Sequence, residues 1–168
     1  VPRGTRPVSD RAREGLFSSL GGAVSGARVL DLYAGTGALG LEACSRGAVS
    51  ATFVDRDRAA TAAIRNNVAR TRVEQAEVVT ADVEGFLGRA GASAAAADLA
   101  FLDPPYDLEG SGLDRVLAQL GSRLVAGSGW TVVLTRGSRT STPVIPLHWG
   151  LTRRLSYGDS LVFLYREV

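Results

Sequence analysis

The chain has no methionine and no lysine, and among its 168 residues there is one cysteine and one histidine. Cys44 alone cannot close an internal disulfide, and one cysteine with one histidine is too few ligands for a zinc site, so neither a disulfide scaffold nor metal chemistry is expected. No apolar run approaches the roughly 20 residues that a membrane-crossing helix requires, and no basic stretch followed by an apolar one opens the sequence. No membrane association is therefore expected, and the chain reads as cytoplasmic. All 19 basic residues are arginine, in a chain heavy in alanine, glycine and valine. That bias points to a coding genome rich in G and C and says nothing of mechanism. Without methionine, Val1 is not expected to be a natural start, and some native sequence is expected to precede it.

What remains is ordinary globular composition, 45% hydrophobic and 21% charged, over a length that suits one compact domain spanning residues 1–168. The net charge of +2 tilts mildly toward a polyanionic partner. Ser9 or Asp10 can cap a helix from Arg11 to about Leu20, with Ala12, Leu16, Phe17 and Leu20 as its apolar stripe, ended by Gly21 and Gly22. Short apolar strands follow, each closing on an acid: Ala27 to Leu32 with Asp31, Ala51 to Val54 with Asp55, Glu77 to Thr80 with Asp82, and Asp98 to Leu102 with Asp103. A fifth, Trp130 to Thr135, ends in Arg136 and Gly137. Helices are expected to about Ser45, over 58–70, near 83–89 and over 113–124, and Ala92 to Ala97 reads as a loop or a frayed helix end. Strands apolar on both faces, alternating with helices, imply an α/β fold with a mainly parallel sheet covered on both sides. Thr152 to Tyr157 and Ser160 to Arg166, joined by Gly158 and Asp159 without a helix between them, read as a β-hairpin that makes one edge strand antiparallel.

Tyr33 to Gly40, Tyr-Ala-Gly-Thr-Gly-Ala-Leu-Gly, follows a strand and opens a helix, the context in which a glycine-rich loop binds a nucleotide-like ligand. Gly35 and Gly37 allow positive φ and close approach of the backbone, and Gly40 allows tight packing of the helix on the sheet. Asp31, just before the loop, would repel the diphosphate of a dinucleotide but suits the ammonium of an amino-acid ligand, so a cationic cofactor fits better than NAD. Asp55 lies at about the 20-residue spacing from which a carboxylate reaches a ribose diol, with Asp57 competing for the same role. Asp82 is the candidate for an adenine amino group, with the Val83 backbone N–H beside it. Carboxylates at the ends of four successive strands mark the rim where open α/β sheets bind ligands.

Asp103-Pro104-Pro105-Tyr106 is the most specific element. Two prolines stiffen the backbone and remove two N–H donors, leaving carbonyls free to accept. An exocyclic base amine offers two N–H donors, and its lone pair is delocalised into the ring. If the Asp103 carboxylate and the Pro104 carbonyl accept those donors, the lone pair is directed at a sulfonium methyl for in-line displacement, with Tyr106 stacking on the base. The expected cofactor is S-adenosyl-L-methionine. A simple proline turn would account for the prolines but not for the acid and the aromatic residue flanking them.

With glycine loop, ribose acid and Asp-Pro-Pro-Tyr in this order, the chain resembles class I methyltransferases that modify nucleobase amines. It is most similar to the RsmD family of small-subunit ribosomal RNA guanine-N2 methyltransferases. The resemblance covers nearly the whole chain, through Arg3-Gly-Thr-Arg6-Pro7, Ser9-Asp10-Arg11, Leu16-Phe17, Leu30 to Gly40, Phe53-Val-Asp55, Asp103 to Tyr106 and Tyr157-Gly-Asp159. It implies a Rossmann-like, mostly parallel seven-stranded sheet ending in an antiparallel hairpin, and methyl transfer to a guanine amine of 16S RNA. A monomer is expected. A basic strand pair that the family carries before the arginine motif is not in this sequence. RNA, free or in the small ribosomal subunit, is the expected partner, held by one basic surface of Arg3, Arg6, Arg11, Arg153 and Arg154 framing the Asp103 pocket, with the target base unstacked. An adenine-N6 DNA methyltransferase would present the same acceptors, but 168 residues leave no room for the added domain that reads duplex sequence. A non-catalytic RNA-binding module is the other alternative, and intact Asp103 and Tyr106 argue against it.

Overall fold

A computed structural model describes residues 9–71, 73–89, 96–105, 107–108 and 110–168. The first helix, α1 (Asp10–Leu20), starts where the Ser9 hydroxyl accepts the Ala12 N–H at 3.1 Å, and it turns Ala12, Leu16, Phe17 and Leu20 inward. It stops at Gly21, whose φ of 53° is left-handed. Among the described residues a short 3-10 turn (Gly21–Ala23), seven strands and four further α-helices follow: β1 (Arg28–Leu32), α2 (Ala38–Ser45), β2 (Ser50–Asp55), α3 (Arg58–Thr71), β3 (Ala76–Thr80), α4 (Val83–Arg89), β4 (Leu99–Leu102), α5 (Ser111–Gly121), β5 (Thr131–Gly137), β6 (Trp149–Tyr157) and β7 (Ser160–Glu167). Helix α5 ends three residues before the expected Leu124, which instead lies beside Ala97 in an isolated parallel bridge. Of the Ala92 to Ala97 run, residues 92–95 lie outside the described residues. No helix among the described residues is long and apolar enough to cross a membrane.

All seven strands join one sheet in the order β3-β2-β1-β4-β5-β7-β6, and β1 to β5 pair in parallel. Leu16, Phe17, Leu39, Ala43 and Ile64 of α1, α2 and α3 pack against Val29, Phe53, Phe101 and Val133 on one face. Val83, Leu87, Leu113 and Leu117 of α4 and α5 pack against Leu30, Leu102 and Leu134 on the other. The chain leaves β1 toward β2 on one side and returns through β4 on the other. The carboxyl ends of β1 and β4 therefore diverge into a crevice, the ligand-binding point of such sheets. At the opposite end the Arg28 guanidinium donates to both oxygens of Asp98, at 2.9 and 3.0 Å, and holds these two strands in register.

The hairpin corrects the expected position of the antiparallel strand. The strand that runs against the others is β7, which pairs with β5 over Thr131 to Gly137 and is flanked by β6 on its other side. The edge strand is β6, and it runs parallel to β5. The reason is burial: Leu161 to Tyr165 are buried and need cover on two flanks, whereas Leu151 to Arg154 are exposed and tolerate an edge. Residues 138–148 carry the chain back along the sheet so that β6 can begin at the far end.

Gly40, on the first turn of α2, is where helix and sheet approach most closely. A Cβ there would fall inside the Phe53 ring contact and 2.9 Å from Asp31 Oδ2. Phe53 is fully buried and cannot move aside. Gly40→Ala is expected to lower unfolding free energy by about 1–3 kcal/mol, read from the midpoint of a urea transition at unchanged slope.

Candidate active site

The crevice holds a cavity of about 660 Å³, walled by Tyr33, Gly35, Asp55, Asp82, Val83, Asp103 and Pro105 together with Arg56, Asp57, Ala60, Glu84, Asp107, Leu108 and Val116. This volume lies within the range of small-molecule sites. The loop after β1 is shaped by its ties to β2. The Ala34 N–H donates to the Val54 carbonyl at 3.0 Å, and the Gly37 N–H turns back to the Ala34 carbonyl at 2.8 Å. Three residues of the loop adopt left-handed backbone: Tyr33 at φ 56°, Gly35 at 59° and Gly37 at 77°. For the two glycines that conformation is cheap. For Tyr33 it costs on the order of 1 kcal/mol, offset by packing its half-buried ring against the apolar cluster of α4 and α5. Burial and the nearby Asp82 and Glu84 carboxylates push the Tyr33 phenol upward, so it stays a neutral O–H donor.

Asp55 is fixed from two directions. Its Oδ2 accepts the Gly35 N–H and its Oδ1 the Asp57 N–H, both at 2.9 Å. Each oxygen keeps a lone pair that can accept a diol hydroxyl. The Gly35 N–H, the donor that a phosphate would need, is already taken by a carboxylate, so the loop suits a cationic ligand and disfavours a diphosphate. Asp57 is engaged elsewhere, because its carboxylate accepts the Ala59 N–H at 2.9 Å and its carbonyl the Thr61 N–H, capping α3. Asp82 lies exposed at the start of α4, where its carboxylate takes the Gly85 N–H at 3.4 Å and its carbonyl the Phe86 N–H. The N–H of Val83, the next residue, belongs to the first turn of that helix, among the donors that have no intrahelical acceptor.

Asp31 differs from its expected place. It is 3% exposed and stands behind the cavity wall, where its Oδ2 accepts the Gly40 N–H at 3.0 Å. A carboxylate on the last buried turn of a strand reaches the nearest compensating dipole, and that is the first turn of α2 rather than open solvent. Burial raises its carboxyl to about 8, the Gly40 bond opposes the rise, and the nearby Asp103 and Asp55 carboxylates add to it. Gly37 also lies behind the wall, backed by Ile64 and Phe53, and serves as the left-handed cap of α2. Asp103 is on the wall; burial raises its carboxyl to about 6, and the Arg136 guanidinium holds it from rising further. Pro104 is buried and Pro105 is on the wall. Tyr106 lies outside the described residues.

The arginines expected to hold RNA are divided. Arg3 and Arg6 lie outside the described residues. Arg11 is exposed on α1, one turn before Gly15, where the Tyr157 hydroxyl occupies the space a side chain would need. The tip of the hairpin and α1 therefore meet, and Gly137 pairs with Ser160 at the same rim as the cavity. Arg153 and Arg154 lie lower on β6 and on opposite faces, Arg153 level with Leu164 and Arg154 over the Phe163 ring at 5.8 Å. The expected single surface is corrected by the two-residue period of a strand, which sends adjacent side chains to opposite sides. Sequence reading passed over Arg56 and Glu84, although each directly follows or nearly follows a strand-end acid. It also passed over Leu108, in the turn before α5, and Val116, whose only signal was the apolar stripe of that helix.

A model for the family described as conserved hypothetical protein 95 matches residues 1–166. The chain is 33% identical over 169 residues to Ribosomal RNA small subunit methyltransferase D of Escherichia coli strain K12, covering 98% of this chain and 80% of that protein. The solved structure of yhhF from Escherichia coli superposes with a TM-score of 0.84 at 33% identity, over 99% of this chain and 90% of that one. A structure from Thermus thermophilus gives 0.78 at 36% identity, over 98% and 90%.

The Asp31 carboxyl binds its proton more tightly in the fold than in the unfolded chain, where the ordinary value is 3.8. The stabilisation from that proton is complete below about pH 4 and is lost as pH rises toward about 8. Asp31→Asn keeps an acceptor for Gly40 and has no charge to bury. Its stability relative to the parent is expected to rise by a few kcal/mol between pH 4 and pH 9, measured by urea unfolding at each pH. A difference that stays flat with pH would show that Asp31 titrates normally.

Proposed function

Because this chain belongs to the conserved hypothetical protein 95 family, the RsmD family of ribosomal RNA methyltransferases, we propose that it methylates the exocyclic N2 amine of a guanine in 16S RNA. Its methyl donor is S-adenosylmethionine, and its substrate is small-subunit ribosomal RNA. The observation that supports the guanine amine is Asp103, a largely desolvated acceptor on the wall of the crevice cavity, followed by two prolines whose backbone has no N–H to offer. In this reading the enzyme acts as a monomer in the cytoplasm.

The residues present fit the cofactor. Asp55 would accept the ribose hydroxyls, the Asp82 carboxylate and the Val83 N–H would meet the adenine edge, and the Asp31 carboxyl lies behind the loop, where a nearby ammonium would favour its ionised form. When bound, S-adenosylmethionine supplies an electrophilic methyl on a sulfonium. The Asp103 carboxylate and the Pro104 carbonyl accept the two amine hydrogens, which turns the nitrogen lone pair out of conjugation and toward the methyl. As the C–N bond forms, the bond from the methyl carbon to sulfur breaks and its electron pair stays on a neutral thioether, the nitrogen gives up one proton, and Asp103, with its carboxyl near 6, can take it. Tyr106 stacks on a base that has left its helix, because guanine N2 in paired RNA lies in a shallow groove and not in a pocket. Arg11 provides a contact to the RNA backbone on one flank, with Arg3 and Arg6 preceding α1. Arg153 and Arg154 reach phosphates on separate faces.

Two substitutions separate binding from chemistry. Asp55→Ala removes the acceptor and frees the Gly35 and Asp57 N–H groups, and is expected to weaken cofactor binding by about 1.5–3 kcal/mol, measured by calorimetry; unchanged affinity would remove Asp55 from the site. Asp103→Ala is expected to leave that affinity intact and slow transfer about a hundredfold or more. The acceptor is identified by digesting 16S RNA, free and in 30S particles, after reaction with labelled cofactor. N2-methylguanosine is the expected product, and N6-methyladenosine or normal turnover by Asp103→Ala would overturn the assignment.

A further inference from the structure

Three charged side chains are almost fully buried among the described residues: Asp31, Arg123 and Arg136. Asp31 accepts the Gly40 N–H, and Arg123 donates to the Leu87 carbonyl at the end of α4. Arg136 stands at the carboxyl end of β5, next to the strand that carries Asp103. Leu102 of β4 pairs with Leu134 of β5. Carried on past the end of β4, that register sets Asp103 level with Thr135 and Pro104 level with Arg136, on neighbours about 4.8 Å apart. Alternation along β5 puts Arg136 in the column of Val132 and Leu134, on the face covered by α4 and α5. Val83 and Val116 of those two helices wall the cavity on this side. In the sheet order β1-β4-β5, Asp103 therefore has a buried acid, Asp31, on one flank and a buried base on the other.

We propose that Arg136 is a positioning residue for Asp103: its guanidinium is the counter-charge that keeps the Asp103 carboxylate ionised, and so able to accept the hydrogens of the target amine. This rests on the reading of Asp103 as the amine acceptor. A protonated Asp103 would present an O–H donor where an acceptor is needed. Burial drives it toward that state, and Arg136 is the influence that opposes the drive. The other ionisable groups around the site are mostly acids: Asp31 behind the wall, Asp55, Asp57, Asp82, Glu84 and Asp107 on it, with Arg56 and the neutral Tyr33. None of those acids can replace a cation. Arginine keeps its charge at every working pH, so the bias it applies is constant.

The test is the titration of the Asp103 carboxyl, followed by NMR on protein labelled with 13C-aspartate and assigned with Asp103→Asn. It needs no turnover. In the parent the carboxyl should titrate near 6. In Arg136→Gln, and in Arg136→Met, which removes the charge while keeping the bulk, it should move upward by about one unit or more, whereas Arg136→Lys should restore it. The acid limb of the kcat profile should move with it, lowering kcat at pH 7 by about twofold for a shift of one unit and about tenfold for two, with KM for S-adenosylmethionine unchanged. Melting curves report folding, and either charge-removing variant that folds is sufficient. An Asp103 titration that stays in place without the Arg136 charge would overturn the proposal. A titration that shifts in a protein that methylates no guanine would instead overturn the assigned reaction and leave the coupling standing.

Discussion

A carboxylate with 3% of its surface in solvent sits where the sheet reverses direction, and much of the site is arranged around it. Asp31 cannot be left there without a donor, because a buried carboxyl oxygen needs a partner and its charged form costs several kcal/mol, which is why burial raises it to about 8. The donor is the Gly40 N–H, and to bring it within 3.0 Å the first turn of α2 must lie directly on β1 and β2. That closeness leaves no room for a side chain at residue 40, since the Phe53 ring and the carboxylate already fill the space. It also fixes where the loop between β1 and α2 can run. Gly37 takes the left-handed cap, Gly35 meets Asp55, and Tyr33 turns its ring to the opposite face. The loop thus follows from a solvation requirement on one acid.

The same requirement shapes the charge of the cavity. Asp55 and Asp103 lie near enough to Asp31 to make its ionisation harder, so Asp31 holds its proton behind the wall and the negative charge falls to the acids that line it. Such a place favours a cation, and it disfavours a ligand whose recognition depends on phosphates. The acids are not equivalent. Asp55 is held by two amides, Asp57 and Asp82 are engaged at helix starts, and Asp103 stands next to a buried arginine. Similar side chains at similar strand ends acquire different roles from the donors their neighbours provide.

The far side of the sheet answers to a different constraint. A strand on the edge exposes unpaired backbone groups, and β6 carries Thr152, Arg153 and Arg154 there, with a register shift between Leu151 and Arg153. Charged side chains and an irregularity both discourage another strand from adding to that edge. The two arginines therefore have a structural use that does not require RNA. The tip of the same hairpin meets α1 through Tyr157 and Gly15, so its end lies beside the cavity rim even though its middle does not.

Much of this was legible in the residues. Apolar strands closing on acids, glycines at the start of a helix and an Asp-Pro-Pro-Tyr run are local patterns, and local patterns report the backbone conformation they require: the α/β class, the parallel core, the hairpin and the rim of acids all follow from spacing along the chain. Which acid faces the ligand did not follow, because Asp31 and Asp55 have the same chemistry and the same place at a strand end. Only the packing of α2 on β1 sends one behind the wall, and only the Gly35 and Asp57 amides hold the other on it. Strand order was equally hidden, since β7 enters between β5 and β6 to bury Leu161 to Tyr165 on two flanks. Arg136 read as an ordinary strand end until the sheet set it beside Asp103, because a counter-charge is defined by proximity across strands, and proximity across strands is decided by the tertiary fold alone.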